Sequence, residues 1–384
     1  MREPVIIEAV RTAIGKKNGA LREVRPDALY AHVLNILLER SGISPEKVED
    51  VVTGCVTQAF EQGANLGRLG TLISNLPQSV PATTLDRMCG SGQQAIHFAA
   101  QAVAAGDMKY VVGGGAENMT RVPMFASLGG GFEKLNPDLR AKYEMIHQGE
   151  SAERLAAKYG LCRQELDEYS FESHRRAAQA GHEGRFKREI APIQGLTKEG
   201  RPFTLDYDEG VRLDATLDKM RSLPPAFRPD GVVTAGNSSQ ISDGAAAVLI
   251  ADRETAEADG LRPRARFRAR VVVAGDPTLQ LWEVIPATKK ALERAGLSMS
   301  DLDAIEINEA FASVVLSWAR ELKPEMSKVN PNGGAIAHGH PLGATGAILI
   351  TKLLHHLEAT GGQFGLQAMC IGHGMATATI IERI

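Results

Sequence analysis

Cysteine is scarce in this chain: four residues, Cys55, Cys89, Cys162 and Cys370, none in a C-x-x-C pair. That excludes a disulfide framework and a zinc-binding pattern, and fits a reducing compartment. Aromatic residues are few. Glycine is plentiful, which suits tight turns and close backbone approaches as well as simple loops. Net charge is nearly absent, −3 over 384 residues. The whole-chain balance therefore favours neither nucleic acid nor an anionic membrane, and a polyanionic ligand needs a local cluster of Arg and Lys. No apolar run approaches membrane-spanning length. Met1-Arg2-Glu3-Pro4 runs straight into the strand-like Val5-Ile6-Ile7, leaving no room for a signal peptide. The expectation is a cytoplasmic protein.

What is present is alternation. Strand-like runs at Val5–Ala9, Val51–Val56 and Tyr110–Gly114 alternate with helical runs at Ala28–Arg40, Gly67–Asn75 and Gln93–Ala105. Near the C-terminus the strands Ala269–Val273, Ala304–Ile307 and Gln367–Ile371 alternate with helices Trp282–Ala295, Glu309–Glu321 and Ala344–Ala359. Such alternation predicts crossover units and helix-covered sheets. The two regions follow one plan. An acidic residue leads an apolar strand, a Gly-rich turn opens a buried helix (Cys89-Gly90-Ser91-Gly92; Gly339-His340-Pro341-Leu342-Gly343), and a Gly-rich strand end follows. A duplicated domain is one reading and chance similarity between α/β halves is the other. Duplication about a pseudo-dyad would bring Cys89 and His340 to one place. Between the halves lies a charged insertion, roughly Asn118 to Gly231, with Arg201, Arg212, Lys219, Arg221 and Arg228 near its end: a solvated face, or a phosphate-binding flap. Within it, Val122–Phe132 is an assembly loop or a substrate lid.

Cys89 carries the most information. The helical run after it places the thiol at a helix entry, near unpaired N–H groups and the positive dipole end, which lowers a thiol pKa and favours the nucleophilic thiolate. A small buried core cysteine is the alternative. His340, on a Gly-rich turn at another helix entry, can take a proton from a thiol at hydrogen-bond distance. His338 and His340 can also be read as metal ligands, but no third ligand stands at a recognisable spacing, and no metal is expected. Cys370, beside Gly372, is either a buried strand residue or a general acid/base. Asn308 ends a strand, as a helix cap or as a holder of water.

Taken together, the Cys89 turn, Asn-Glu-Ala-Phe (308–311), Gly-His-Pro (339–341) and Cys370-x-Gly372 resemble the thiolases, which make or cleave 3-oxoacyl-CoA thioesters through a cysteine. Thr234–Ser239 with Asp243-Gly244-Ala245 matches as well, and the resemblance runs from Val5 to the last residues. It implies an α/β fold with a duplicated core, two mixed-sheet βαβαβαββ halves with helices between and around them, plus an inserted loop domain. The expected division is residues 1–117 completed by 232–265, the loop domain 118–231, and 266–384. The resemblance makes Cys89 the nucleophile that carries the acyl group. His340 is its activator and, with a water on Asn308, binds the thioester oxygen; Cys370 moves the other proton. The backbone N–H groups of Cys89 and Gly372 form an oxyanion hole for the acyl-enzyme. His147 is expected near the substrate thioester, Ser239 on pantetheine and Arg212 near the CoA nucleotide. Coenzyme A enters as substrate with no permanently bound cofactor, and a homodimer or homotetramer is the rule in the family.

Two positions depart from the family pattern. His373 stands where Gly is usual, and Gln148 follows His147 where Met is common in acetoacetyl-CoA enzymes. The stretch from Asn308 to Arg320 resembles degradative thiolases, including those acting on steroid-derived CoA esters. Degradative cleavage of a 3-oxoacyl-CoA is therefore the first expectation, biosynthetic acetoacetyl-CoA condensation the second. A non-catalytic acyl-CoA carrier is disfavoured, because Cys89, His340 and Cys370 are all present. Asn308 and Cys370 argue against the neighbouring Cys-His-His ketoacyl synthases.

Overall fold

The alternation in the sequence becomes a helix-covered mixed sheet. The computed structural model describes residues 2–384. In chain order the elements that matter here are β1 (Pro4–Thr12), α1 (Pro26–Ser41), β2 (Asp50–Gly54), β3 (Ala82–Leu85), α2 (Ser91–Ala105) and β4 (Tyr110–Asn118). The insertion carries α3 (Gln148–Lys158) and α4 (Arg163–His182). Then come β5 (Ser242–Asp252), β6 (Ala265–Ala274), α5 (Val284–Ala295), β7 (Ala304–Ile307), α6 (Ala312–Leu322), α7 (Leu342–Thr360), β8 (Phe364–Ile371) and β9 (Met375–Arg383). Local chemistry sets many of the boundaries. Pro26 opens α1, whose C-cap Gly42 is left-handed and returns its N–H to Leu38. Gly106 and Gly361 close α2 and α7 in the same conformation.

The main path of the sheet runs β7-β8-β9-β6-β1-β5-β4-β2-β3. Its two ends mirror each other. In the first half β2 is parallel to β4, β4 antiparallel to β5, and β5 antiparallel to β1. In the second, β7 is parallel to β8, β8 antiparallel to β9, and β9 antiparallel to β6. Even the outermost strand has a counterpart: β3 lies parallel to β2, and Val329 bridges Ile305 of β7 in parallel. The halves meet where β1 pairs with β6 at only Val5–Arg266 and Ile6–Ala265. This is the duplicated α/β architecture expected from the sequence.

Helices α2 and α7 form the middle of the molecule. Ile96, Ala99 and Val103 of α2 and Ile348, Leu353 and Leu357 of α7 share one core with Ile6, Val248, Ile250 and Ile381 of the sheet. Each helix is also gripped by the other half. Gln93 of α2 donates to Thr379 of β9 and accepts from Thr377, and Gly343 of α7 donates to Glu117 of β4. The helices cross at backbone contact: a Cβ on Gly92 would lie 2.7 Å from the Gly343 carbonyl oxygen, and one on Gly346 would run into the Gln93 nitrogen. Outside this layer, α1 covers the first half-sheet, and α5 and α6 cover the second.

Candidate active site

Cys89 sits two residues before the first helical residue of α2, and His340 two residues before the first of α7. Because the helices touch at their starts, both side chains face one cavity of about 300 Å³. The Cys89 turn is tightly held. Ser91 Oγ accepts from the Arg87 N–H (2.8 Å) and donates to the Met88 carbonyl (2.6 Å), while Met88 takes a left-handed φ of 46°. The Gln148 carboxamide and the N–H groups of Cys89 and Gly372 act to lower this thiol. Even so, burial pushes it up to about 11. The helix-entry position was expected to lower it; the donors are there, but desolvation of the anion outweighs them.

His340 is placed by a glycine. Gly339 has φ of 114°, and a side chain there would collide with Ser242 Oγ, so only Gly lets the turn pass. The His340 N–H is shared between Gln240 O and Ser242 Oγ, each at 3.2 Å. In the ring, Nδ1 lies 2.6 Å from Thr345 Oγ1, which gives its own proton to the Pro341 carbonyl at 2.9 Å. We assign the tautomer accordingly: Nδ1 carries the hydrogen, and Nε2 keeps a lone pair on the site side. Burial lowers this imidazole to about 4, so it rests as a neutral base. His338 points elsewhere, with Nδ1 2.8 Å from Asp208 and Nε2 2.8 Å from the Asn332 carbonyl. The two histidines do not share a ligand.

Cys370 and Asn308 lie just behind the cavity wall, both fully buried. Cys370 is the penultimate residue of β8, and Asn308 follows β7, the strand parallel to it. The Asn308 amide stands 3.4 Å from His340 Nε2 and acts to lower the Cys370 thiol. Burial, and then the neighbouring Cys89, push Cys370 up to about 12. Two neutral thiols, a neutral imidazole and a carboxamide therefore meet at one point. Such a set can form a thiolate only by passing its proton directly to a neighbour.

The other expected residues are arranged around this centre. His147 and Ser239 line the cavity. His147 caps α3, its Nδ1 accepting the Gly149 N–H at 3.0 Å, and its ring stacks on Phe227. Met124, Phe125, Ser127, Leu128 and Phe132 also line the cavity, so Val122–Phe132 stands as a wall over the site. Arg212 is exposed beside a second cleft that also holds Lys219 and meets the main cavity at Gln240. The rest of the basic cluster is engaged elsewhere: Arg228 with Glu150, Arg221 loosely with Glu168, Arg201 loosely with Glu199. Among the described residues no group of three or more His, Cys, Asp or Glu is placed to hold a metal.

Residues 4–254 match the model of the thiolase N-terminal domain, and residues 261–383 that of the thiolase C-terminal domain. The chain belongs to the thiolase family of acyltransferases. This thiolase is similar over its whole length to the steroid 3-ketoacyl-CoA thiolase FadA6 of Mycobacterium tuberculosis, with 45% identity over 95% of that protein. It is 44% identical to the full-length 3-ketoacyl-CoA thiolase of Vibrio cholerae and 41% identical to the full-length beta-ketoadipyl-CoA thiolase of Acinetobacter baylyi.

Three residues of this thiolase's site escaped the sequence reading. Glu117, buried in β4, accepts from the N–H groups of Val56, Thr57 and Gly343 and from Gln62, tying the start of α7 to the loop after β2. Thr345 fixes the His340 ring. Gln280 donates to the Ile146 carbonyl (3.2 Å) and accepts the His373 N–H (2.9 Å), joining the insertion to the turn after Cys370. Glu117 and Gln280 work through partners distant in sequence, while Thr345 acts on the turn just before it. Only the Glu in Gly113-Gly114-Gly115-Ala116-Glu117, a charge inside an apolar strand, carried a signal.

Proposed function

We propose that this thiolase cleaves 3-oxoacyl-CoA esters with coenzyme A in a degradative pathway, through an acyl-Cys89 intermediate. The observation that carries the reading is the convergence of Cys89, His340, Cys370 and Asn308 at one end of an apolar cavity. His340 Nε2 takes the Cys89 proton as sulfur attacks the 3-oxo carbon. The C2–C3 bond breaks, and Cys370 protonates the departing carbanion, giving a two- or three-carbon acyl-CoA. Coenzyme A then resolves the acyl-Cys89 by thiol exchange, with ping-pong kinetics. His340, with a water on Asn308, binds the thioester oxygen, while the N–H groups of Cys89 and Gly372 receive the acyl-enzyme carbonyl.

Pantetheine passes Ser239 and His147, and the nucleotide end reaches Arg212 and Lys219. The wall of Met88, Met119, Met124, Leu128 and Phe132 suits an apolar acyl group larger than acetyl. In this reading the chain divides into 1–117 with 232–265, the loop domain 118–231, and 266–384, and it works as a homodimer or homotetramer. Free Cys55, Cys89, Cys162 and Cys370 favour a reducing, cytoplasmic setting.

The test is CoA-dependent thiolysis across 3-oxoacyl-CoA esters from acetoacetyl to long-chain and steroid-ring-derived. Preference for a bulky or long ester is expected. Preference for acetoacetyl-CoA would instead favour the biosynthetic role. Cys89→Ala should abolish turnover while fold and CoA binding remain; retained activity in that variant overturns the mechanism.

A further inference from the structure

Gln148 occupies a position that the proposed chemistry above does not use. It is the first residue of α3, and its side chain lines the cavity next to Cys89 and Gly372. The carboxamide lies close against the turn after β8: a Cβ on Gly372 would stand 2.7 Å from Gln148 Nε2. Gln280 fixes this approach from behind. Its carboxamide holds Ile146, two residues before Gln148, and His373, the residue after Gly372. The segment carrying Gln148 and the turn carrying Gly372 are thus clamped by one side chain, where both line the cavity with Cys89.

We propose that the Gln148 carboxamide is a catalytic hydrogen-bond donor, giving an Nε2–H to the Cys89 sulfur as it becomes a thiolate. It acts together with the N–H groups of Cys89 and Gly372, which also favour the thiolate. The nearby walls supply no donor: Met88, Met119 and Ile371 surround Cys89 with apolar surface. A carboxamide suits the task because it does not titrate. It donates at any working pH and never competes with His340 for the proton. A Met of similar length fills the same space without a donor. This inference rests on Cys89 being the nucleophile.

The experiment compares wild type, Gln148→Met and Gln148→Glu in iodoacetamide alkylation of Cys89 across pH, read by mass spectrometry, beside kcat and KM for thiolysis. In Gln148→Met, alkylation at pH 8 should slow about tenfold, the effect of one unit in the thiol pKa. Its kcat should fall with little change in KM. Gln148→Glu should slow alkylation further, since a carboxylate beside the sulfur opposes the thiolate. Wild-type alkylation in a Gln148→Met protein with unchanged circular dichroism and melting overturns the proposal. So does a loss of kcat with unchanged alkylation, which would make Gln148 only part of the pocket wall. If Gln148→Met does not fold, Gln280→Leu loosens the clamp without touching the donor, and should slow alkylation in the same direction; no change there also overturns it. Absence of an acyl adduct on Cys89 of the wild-type enzyme would instead remove the nucleophile itself, whatever the Gln148 variants do.

Discussion

Burial and hydrogen bonding pull the Cys89 thiol in opposite directions, and burial wins in the resting enzyme. His340 is displaced the other way, down to about 4. Neither group is charged near neutral pH, so the ion pair exists only while a substrate carbonyl is there to receive the sulfur. The pH profile follows. His340 must be unprotonated to act as base, and its lowered pKa keeps it so well below the usual imidazole range. The acid limb of kcat/KM should therefore fall near pH 4 rather than 6.5, measured by brief assays in acid with return to neutral pH as the control. His373 poses a different problem. It has φ of +63° where a Gly is usual, keeps its ring half-buried against Phe132, and lines the cavity. His373→Gly should relieve backbone strain and stabilise the fold by about 1 kcal/mol in urea titration, while extending the range of acyl groups cleaved. A motif reading names Cys89, His340, Cys370 and Asn308, because chemistry restricts which residues can stand there. The sign of the thiol shift stays hidden from it, since burial is set by residues far along the chain.

The contact of α2 with α7 decides whether Cys89 and His340, distant in sequence, meet. Gly92, Gly343 and Gly346 let these helices approach at backbone distance. A methyl at Gly346 meets the Gln93 backbone, which no side-chain motion can relieve. Gly346→Ala should thus cost about 1–3 kcal/mol of stability. It should also lower kcat out of proportion to that loss, by moving the start of α2 against His340. Urea unfolding and thiolysis of the same preparation separate the two effects. Helices α1, α2, α5, α6 and α7 were visible in the sequence through spacing and, except in α6, through Gly stops. Strands β5 and β9 were not. Ser242-Asp243-Gly244-Ala245-Ala246-Ala247-Val248-Leu249 is buried on both faces, so it shows no alternation, and its alanines suit a helix equally well. In Met375-Ala376-Thr377-Ala378-Thr379 the alternation is present, but the threonines face α2 inside the molecule rather than solvent.

The whole molecule is joined by a buried ionic knot. Arg11 of β1 binds Glu189 (2.8 Å) and Asp208 (2.8 and 3.1 Å), both from the insertion, and Asp208 lies 2.8 Å from His338 of the second half. Burial alone would raise the Asp208 carboxyl; the Arg11 charge and the His338 bond hold it well below the usual carboxylate range. Asp208→Asn leaves Arg11 undercompensated and should cost about 3–5 kcal/mol, read as a lower urea midpoint, with activity lost in parallel because His338 anchors the turn bearing His340. The sequence flagged this insertion as charged, but not that four of its acids, Glu153, Asp167, Glu189 and Asp208, are buried.

The mirrored halves also set the order in which the site is born. The ribosome releases Cys89 with its own half-sheet long before α7 exists. Until then the thiol has neither His340 nor Cys370 nearby, and Gln93 lacks the threonines of β9. An unfinished chain therefore holds Cys89 apart from His340 and Cys370, and the cluster is complete only once the last strand is in place.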